Sequence, residues 1–208
     1  MAIIIKLAKN QNLFSKAHKL VRKTYLQTFN MDIDELHFFH PEKFKSDVLL
    51  AISADNNEIL GTMSIMYPNL EGIYPCESLF GFELSKYHLA NNNYVEIGRF
   101  ATSDEGKKKV TVVIALFLGA IKYLQNQEVN GWTATVKDDV YDFLHRVVSL
   151  PLNNIAQKPI IQENDPLKSY VGNANSLHLF DVSLNETAFS FKRFEGYLKR
   201  GLIDLQIS

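Results

Sequence analysis

A single carboxylate in an otherwise apolar strand is the first residue here whose type and position could do chemistry. Residues 94–101 alternate as a strand does, and Glu96 stands among them between Val95 and Ile97. Burial of a carboxylate raises its pKa, which would suit Glu96 to accept a proton directly or through water. The alternation predicts Glu96 on one face of the strand and Arg99 on the other. The alternative is a strand glutamate at a solvated edge.

A basic run directly before the most apolar segment of the chain is the second such feature. Gly106, Lys107, Lys108 and Lys109 precede residues 110–125, whose length and composition favour a buried helix. Backbone N–H groups and the helix dipole at a helix start attract phosphate, and neighbouring lysines strengthen the attraction. We therefore predict a phosphate-binding turn here. The alternative is a solvated lysine turn.

Composition argues against several kinds of site and partner. The 208 residues carry 22 Lys+Arg against 23 Asp+Glu, and this balance argues against a nucleic-acid partner. The one cysteine, Cys76, excludes an intramolecular disulfide and a cysteine-built zinc site. His37 and His40 form a pair without a third ligand, so we predict no metal. No signal peptide or transmembrane segment is recognisable, which predicts a cytoplasmic protein.

The order of the predicted elements indicates the fold class. The predicted strands are residues 2–9, 48–53, 58–67, 94–101, 132–136 and 176–184. The predicted helices are residues 12–29, 110–125, 138–148 and 185–201. No linker or change in composition divides these elements, so we expect one domain over residues 1–208. Its class is α/β (α+β), with a mixed central sheet flanked by helices.

This order resembles the GNAT fold of N-acetyltransferases, whose centre is a strand, a phosphate-binding turn, a long buried helix, a strand and a helix. Residues 95–101, Val-Glu-Ile-Gly-Arg-Phe-Ala, are similar to the Glu-hydrophobic-Ser-Arg-Phe signature of autoinducer (N-acylhomoserine lactone) synthases and long-chain N-acyl amino acid synthases, with Gly98 in place of the serine. Residues 21–25 resemble their Val-Arg-x-x-Phe helix. The resemblance implies that the central sheet is mostly antiparallel.

The resemblance also implies an activity and a set of site residues. The activity is N-acyl transfer from a thioester, on acyl carrier protein or coenzyme A, to the amine of an amino acid or similar small acceptor. The donor is a co-substrate, so no tightly bound cofactor is implied. Glu96 would be the base, and Arg99 would hold the donor or pair with an internal carboxylate. The other implied residues are Phe100, Ala101, Gly106, Lys107, Lys108 and Lys109 for the donor, and Arg22, Tyr25 and Phe29 for the substrate.

A proton donor for the departing thiolate is implied by a second resemblance. Residues 138–145 are similar to the Asn-x-x-Ala-x-x-Leu-Tyr pattern of acetyltransferases, in which the tyrosine protonates the thiolate. His145 stands in the place of that tyrosine, and Tyr141 is the second candidate. A lone helical histidine is more often a surface or core residue.

The chain departs from the autoinducer synthases after the first helix, where His37, His40 and Glu42 stand in the region of their paired aspartates. This departure argues against lactone synthesis more than against acyl transfer to an amine. Phe117 and residues 79–82 could line an acyl pocket, although aromatic residues at such spacing are typical of a core. Two alternatives stay open: an acetyl-coenzyme A-dependent acetyltransferase, and a non-catalytic lipid-binding member of the fold.

Overall fold

One mixed sheet organises the part of the chain that the structure, a computed structural model, describes: residues 2–35, 44–80, 93–103, 108–156 and 177–207. Eight strands lie in the order β6-β7-β5-β4-β3-β2-β1-β8. Among these strands only β1–β8 and β4–β5 are parallel pairs, which confirms a mixed, mostly antiparallel sheet. The strands are β1 (Ile3–Leu7), β2 (Ser46–Ser53), β3 (Ile59–Met66), β4 (Tyr94–Thr102), β5 (Gly131–Lys137), β6 (Asn153–Ala156), β7 (Leu177–Ser183) and β8 (Ile203–Gln206).

The helices lie between the strands much as the apolar spacing predicts. They are α1 (Gln11–Phe29), α2 (Pro75–Phe80), α3 (Lys108–Gln125), α4 (Asp138–Asp142), α5 (Leu184–Phe191) and α6 (Gly196–Lys199). The predicted helix over 138–148 is α4 followed by a π-helical turn, Phe143–Val147. The predicted helix over 185–201 is interrupted by the 3-10 turn Lys192–Phe194. None of the described helices has the length and hydropathy that a membrane crossing requires.

The two faces of the sheet are covered differently. On one face, α3 is apolar almost all round because it packs on the sheet and also against α5, where the rings of Phe117 and Phe191 stack 5.3 Å apart. On the other face, α1 packs Ala17 against a smaller cluster that includes Leu50. The side chain of Asn10 caps α1 by accepting a hydrogen bond from the Leu13 N–H at 3.0 Å.

The parallel pair of β4 and β5 separates after three residues. Tyr94, Val95 and Glu96 pair with Gly131, Trp132 and Thr133, and the pairing ends there, although β4 continues to Thr102 and β5 to Lys137. An opening therefore lies in the middle of the sheet, between the second halves of these two strands.

A bulge in β4 lies at the start of this opening. The register between β3 and β4 shifts between Thr62 and Ser64, so that Arg99 and Phe100 both lie opposite Met63. Arg99 has a φ of 48°, in the left-handed region that non-glycine residues seldom adopt. A bulge of this kind bends its strand and re-aims the side chains that follow.

Candidate active site

A cavity of about 330 Å³ occupies the opening between β4 and β5. Its walls come from both separated strands, from α1, α2 and α3, and from the segment 139–144 after β5. Most of the lining is apolar, and the ionisable residues in it are few: Tyr25, Cys76, Glu96, Arg99, Lys109, Lys137 and Asp139. A largely apolar pocket with a few convergent polar groups is typical of a small-molecule site.

Glu96 lies in the wall of this cavity, at the last position of β4 that pairs with β5, and only 4% of it is exposed. One carboxylate oxygen, Oε2, accepts a hydrogen bond from the backbone N–H of Cys76 at 2.9 Å. Burial raises the pKa of Glu96 to about 7, although hydrogen bonds from Cys76 and the charge of Arg99 oppose the shift. At neutral pH this carboxylate can therefore both take and release a proton.

Arg99 does not follow the alternation that places it opposite Glu96. Its side chain interacts with Tyr25 of α1 and with Glu96, whereas Val95 and Ile97 belong to the core around α3. The physical reason is the bulge, since the left-handed φ of Arg99 breaks the two-residue repeat of β4. Arg99 lines the cavity and also interacts with the internal carboxylate of Glu96, so its location is consistent with both predicted roles.

The predicted donor residues lie where β4 ends and α3 begins, as far as the structure describes them. Phe100, Ala101 and Lys109 line the cavity. Gly106 and Lys107 lie outside the described residues, as does the side chain of Lys108.

Lys137, at the end of β5, is a cavity-lining cation that the sequence analysis missed. Burial lowers its pKa, and the charge of Asp139 opposes this shift. The sequence feature that could have pointed to Lys137 is its position directly after the predicted strand 132–136.

Tyr141 and His145 do not belong to the described lining of the cavity. The Tyr141 hydroxyl accepts a hydrogen bond from Asn154 Nδ2 at 2.9 Å, and its ring stacks on that of His178 at 4.1 Å. The ring of His145 also stacks on that of Tyr141, with the ring centroids 5.8 Å apart. The cavity is lined instead by Val140, Phe143 and Leu144, which occupy the adjacent stripe of the helix.

The three predicted residues of α1 differ in where they lie. Tyr25 is buried and lines the cavity, and burial raises its pKa to about 12 against the opposing charge of Arg99. Arg22 is half-exposed and is not a lining residue. Phe29 ends α1, and its side chain lies outside the described residues.

Two aspartates that the sequence analysis overlooked follow α1 and bind its basic side chains. Arg22 Nε donates to Asp32 Oδ1 at 3.0 Å, and Arg22 also lies 3.4 Å from an oxygen of Asp34. His18 Nε2 lies 2.8 Å from the other oxygen of Asp34. The sequence feature that could have pointed to these contacts is an acidic pair directly after a basic helix. His37, His40 and Glu42, which were considered in this region instead, lie outside the described residues.

Aromatic residues close the cavity where β4 and β5 meet. Phe117 and Trp132 both line it, with their ring centroids 5.7 Å apart. Phe191 stacks behind Phe117, and the Trp132 Nε1–H donates to Thr187 Oγ1 at 2.9 Å. Residues of α5, for which the sequence suggested no specific role, thus support the wall of the site.

No metal site is visible in the described ranges, where no three histidine, cysteine, aspartate or glutamate side chains come together suitably for a metal ion. The pair His37 and His40 lies outside those ranges.

Comparison with known proteins gives a family for this chain. The family model of the N-acyl amino acid synthase FeeM matches residues 16–153. The structure of FeeM from uncultured soil microbes is 15% identical, with a TM-score of 0.66 over 90% of this chain and 94% of that one. The AHL synthase LasI is 12% identical, with a TM-score of 0.62 over 91% and 94%.

An acetyltransferase of the GNAT family from Staphylococcus aureus Mu50 is 16% identical, with a TM-score of 0.53 over 88% of this chain and 99% of that one. A search of curated protein sequences gave no match. At these identities the solved structures establish the GNAT-like fold, and the match to the family model covers more than half of the chain. The chain belongs to the FeeM N-acyl amino acid synthase family and is an N-acyltransferase.

Proposed function

We propose that this N-acyltransferase moves an acyl group from a thioester to the amine of an amino acid or similar small acceptor, with Glu96 as the general base. The observation that carries the proposal is a buried carboxylate with a pKa of about 7 in the wall of an apolar cavity. Glu96 takes a proton from the acceptor amine, whose nitrogen attacks the thioester carbon. The tetrahedral intermediate then collapses to the amide and expels the thiolate.

The edge of β4 that faces the cavity supports the binding of an extended donor. Beyond Glu96 this strand has no pairing with β5, so backbone groups of residues 97–102 on that side are available to a ligand. An amide-containing thioester arm can lie along such an edge as an added strand. A backbone N–H near the bulge at Arg99 then supplies a hydrogen bond to the developing oxyanion.

Two lysines support the binding of a phosphate-carrying donor at the open end of the cavity, where β4 and β5 have separated. Lys109 comes from the start of α3 and Lys137 from the end of β5, on opposite sides of the opening. Together with Gly106, Lys107 and Lys108 of the predicted phosphate-binding turn, they would attract the phosphate of an acyl carrier protein or of coenzyme A.

The apolar interior supports an acyl chain longer than acetyl. Beyond Glu96 the lining is formed by apolar side chains that include Met63, Val113, Phe117 and Trp132. A buried carboxylate in such a pocket has a clear use in proton transfer and none in lipid binding alone, because its burial costs free energy. This observation favours the enzyme over a non-catalytic lipid-binding protein.

The test is a donor and acceptor screen with the purified chain. Acetyl, decanoyl and hexadecanoyl thioesters of coenzyme A and of acyl carrier protein are each incubated with mixed amino acids, and N-acyl products are identified by mass spectrometry. The Glu96→Gln variant, checked for folding by circular dichroism, is the matched control. We expect N-acyl amino acids from a long-chain donor.

Three other outcomes contradict parts of the proposal. Product from acetyl-coenzyme A alone would support the acetyltransferase alternative. Product from the Glu96→Gln variant at the normal rate would exclude Glu96 as the base. No product from any donor, with folded protein, would favour lipid binding.

The single domain over residues 1–208, the cytoplasmic location and the absence of a nucleic-acid partner stay predictions of the sequence.

A further inference from the structure

The start of α2 lies directly against Glu96. Pro75 opens this helix, and the next residue, Cys76, donates its backbone N–H to Glu96 Oε2 at 2.9 Å. The Tyr74 hydroxyl donates to the backbone oxygen of Tyr94 at 2.9 Å, two residues before Glu96 on the same strand. Tyr74 is fully buried. These contacts fix the segment 74–76 to β4, independently of any ligand.

The side chain of Cys76 reinforces the contact of its backbone. It is 3% exposed and lines the cavity, and the Glu96 carboxylate that its backbone N–H binds also acts on the thiol, whose pKa it raises. Burial and the neighbouring Glu96 raise the pKa of Cys76 well above its ordinary value, so the thiol stays protonated. A protonated thiol is a hydrogen-bond donor to a carboxylate and a poor nucleophile.

We propose that Cys76 is a positioning residue for Glu96, holding the carboxylate from the α2 side through its backbone N–H and its thiol so that the remaining oxygen lone pairs face the acceptor amine. This inference rests on the proposed role of Glu96 as the base. During the reaction the proton passes from the amine to Glu96, and Cys76 keeps its own proton. The sulfur forms no covalent bond with the acyl group.

Because a thiol is a weak hydrogen-bond donor, cysteine at position 76 affects the pKa of Glu96 differently from serine or alanine. Other groups around Glu96 act in both directions, because Glu77 of α2 raises its pKa while Arg99, which lies beside Tyr25 of α1, lowers it. A hydroxyl in place of the thiol would stabilise the charged carboxylate more and weaken the base. A methyl group would stabilise it less. Cysteine therefore holds the carboxylate in place while leaving it basic near neutral pH.

The experiment compares Cys76→Ala and Cys76→Ser with the unchanged chain by two readouts. The first is the titration of Glu96 by NMR of carboxyl-labelled glutamate, its resonance assigned from its absence in Glu96→Gln. The second is the pH profile of kcat/KM for a productive donor and acceptor. We expect the pKa of Glu96 to rise by about half a unit in Cys76→Ala and to fall by about half a unit in Cys76→Ser.

The two variants separate positioning from a general structural role. Loss of packing alone would lower the melting temperature and the rate at all pH values without moving the titration, and that result would overturn the proposal. The opposite signs expected for alanine and serine exclude an effect of side-chain volume. If the unchanged chain is inactive with all donors, the proposed function fails, while the NMR titration still decides whether the Cys76 thiol acts on Glu96.

Discussion

The two ends of the cavity are built on opposite physical principles. At the closed end, where β4 and β5 meet, Glu96, Cys76 and Trp132 are almost completely buried. At the open end, where the strands have separated, Lys109 is exposed and Lys137 is half-buried. Burial makes the carboxylate basic at the closed end, whereas partial exposure keeps cations at the open end accessible to a large donor.

This contrast explains how β4 can serve both proton transfer and donor binding. The first three residues of β4 complete a ladder with β5, which excludes water and raises the pKa of Glu96. The residues of β4 after Glu96 no longer pair with β5, and the bulge at Arg99 lies in this unpaired part of the strand. A sheet opened along its whole length would solvate the carboxylate, and a fully paired one would leave no room for a thioester.

The strongest loss of activity is expected for a substitution at the closed end. Glu96→Gln keeps the shape of the side chain but removes the base, and we expect kcat/KM to fall by roughly 10²- to 10⁴-fold. Steady-state kinetics with the best donor of the screen measure the loss. The variant must retain its circular dichroism spectrum and melting temperature. A fall of less than threefold would show that the acceptor loses its proton elsewhere.

The second effect is a dependence on pH with a defined sign. Because the pKa of Glu96 is raised to about 7, its charged form, which is the base, is lost as the pH falls through this value. We expect the advantage of the unchanged chain over Glu96→Gln to fall by about tenfold for each unit below pH 7. The ratio of the two kcat/KM values is used because the titration of the acceptor amine affects both proteins equally and cancels. A ratio that is constant between pH 5 and 8 would contradict the assignment.

The third effect concerns acyl-chain selection by the aromatic wall. Phe117→Leu opens space between the cavity and Phe191, so we expect the ratio of kcat/KM for a longer over a shorter acyl chain to rise by roughly tenfold. Phe180→Leu is the matched control, because Phe180 is buried against Trp132 but is not a lining residue. Equal changes of chain preference in the two variants would show that general loosening, and not the wall, sets the preference.

The smallest effect is expected at the open end. Lys137→Ala removes one cation from a partly solvated place, so we expect KM for the donor to rise by about two- to fivefold with little change in kcat. The effect should shrink as salt is added, because ions screen charges at this end. Lys122→Ala on α3, exposed and outside the cavity lining, is the control. A large loss of kcat with unchanged KM would place Lys137 in the chemical step.

Much of the fold could be predicted from local patterns, and the failures have physical reasons. β4 and α3 were predicted within two residues at each end because their patterns are long and strongly apolar. β6 and β8 were missed because each has four residues, too few for a pattern of its own. The single helix predicted over 185–201 overlooked the 3-10 turn that interrupts it.

The candidate site was predictable in its centre and not at its borders. Glu96 stands out in the sequence because a carboxylate between two apolar residues is unusual within one strand, and it lines the cavity, while its role as the base stays a prediction. Lys137 was missed because nothing local distinguishes a cavity lysine from a surface one. Tyr141 and His145 are implied by the resemblance to the acetyltransferase pattern, but the packing of α4 on β7 and the π-helical turn present the neighbouring stripe to the cavity.

The order of the elements, the apolar centre and a carboxylate placed within it could be predicted because they depend on residue type and on periods of two and 3.6 residues. What surrounds that carboxylate depends on the tertiary fold. The separation of β4 from β5 and the contact of Cys76 with Glu96 join residues far apart in the chain. The same contacts set the burial of Glu96, and burial is what raises its pKa to about 7.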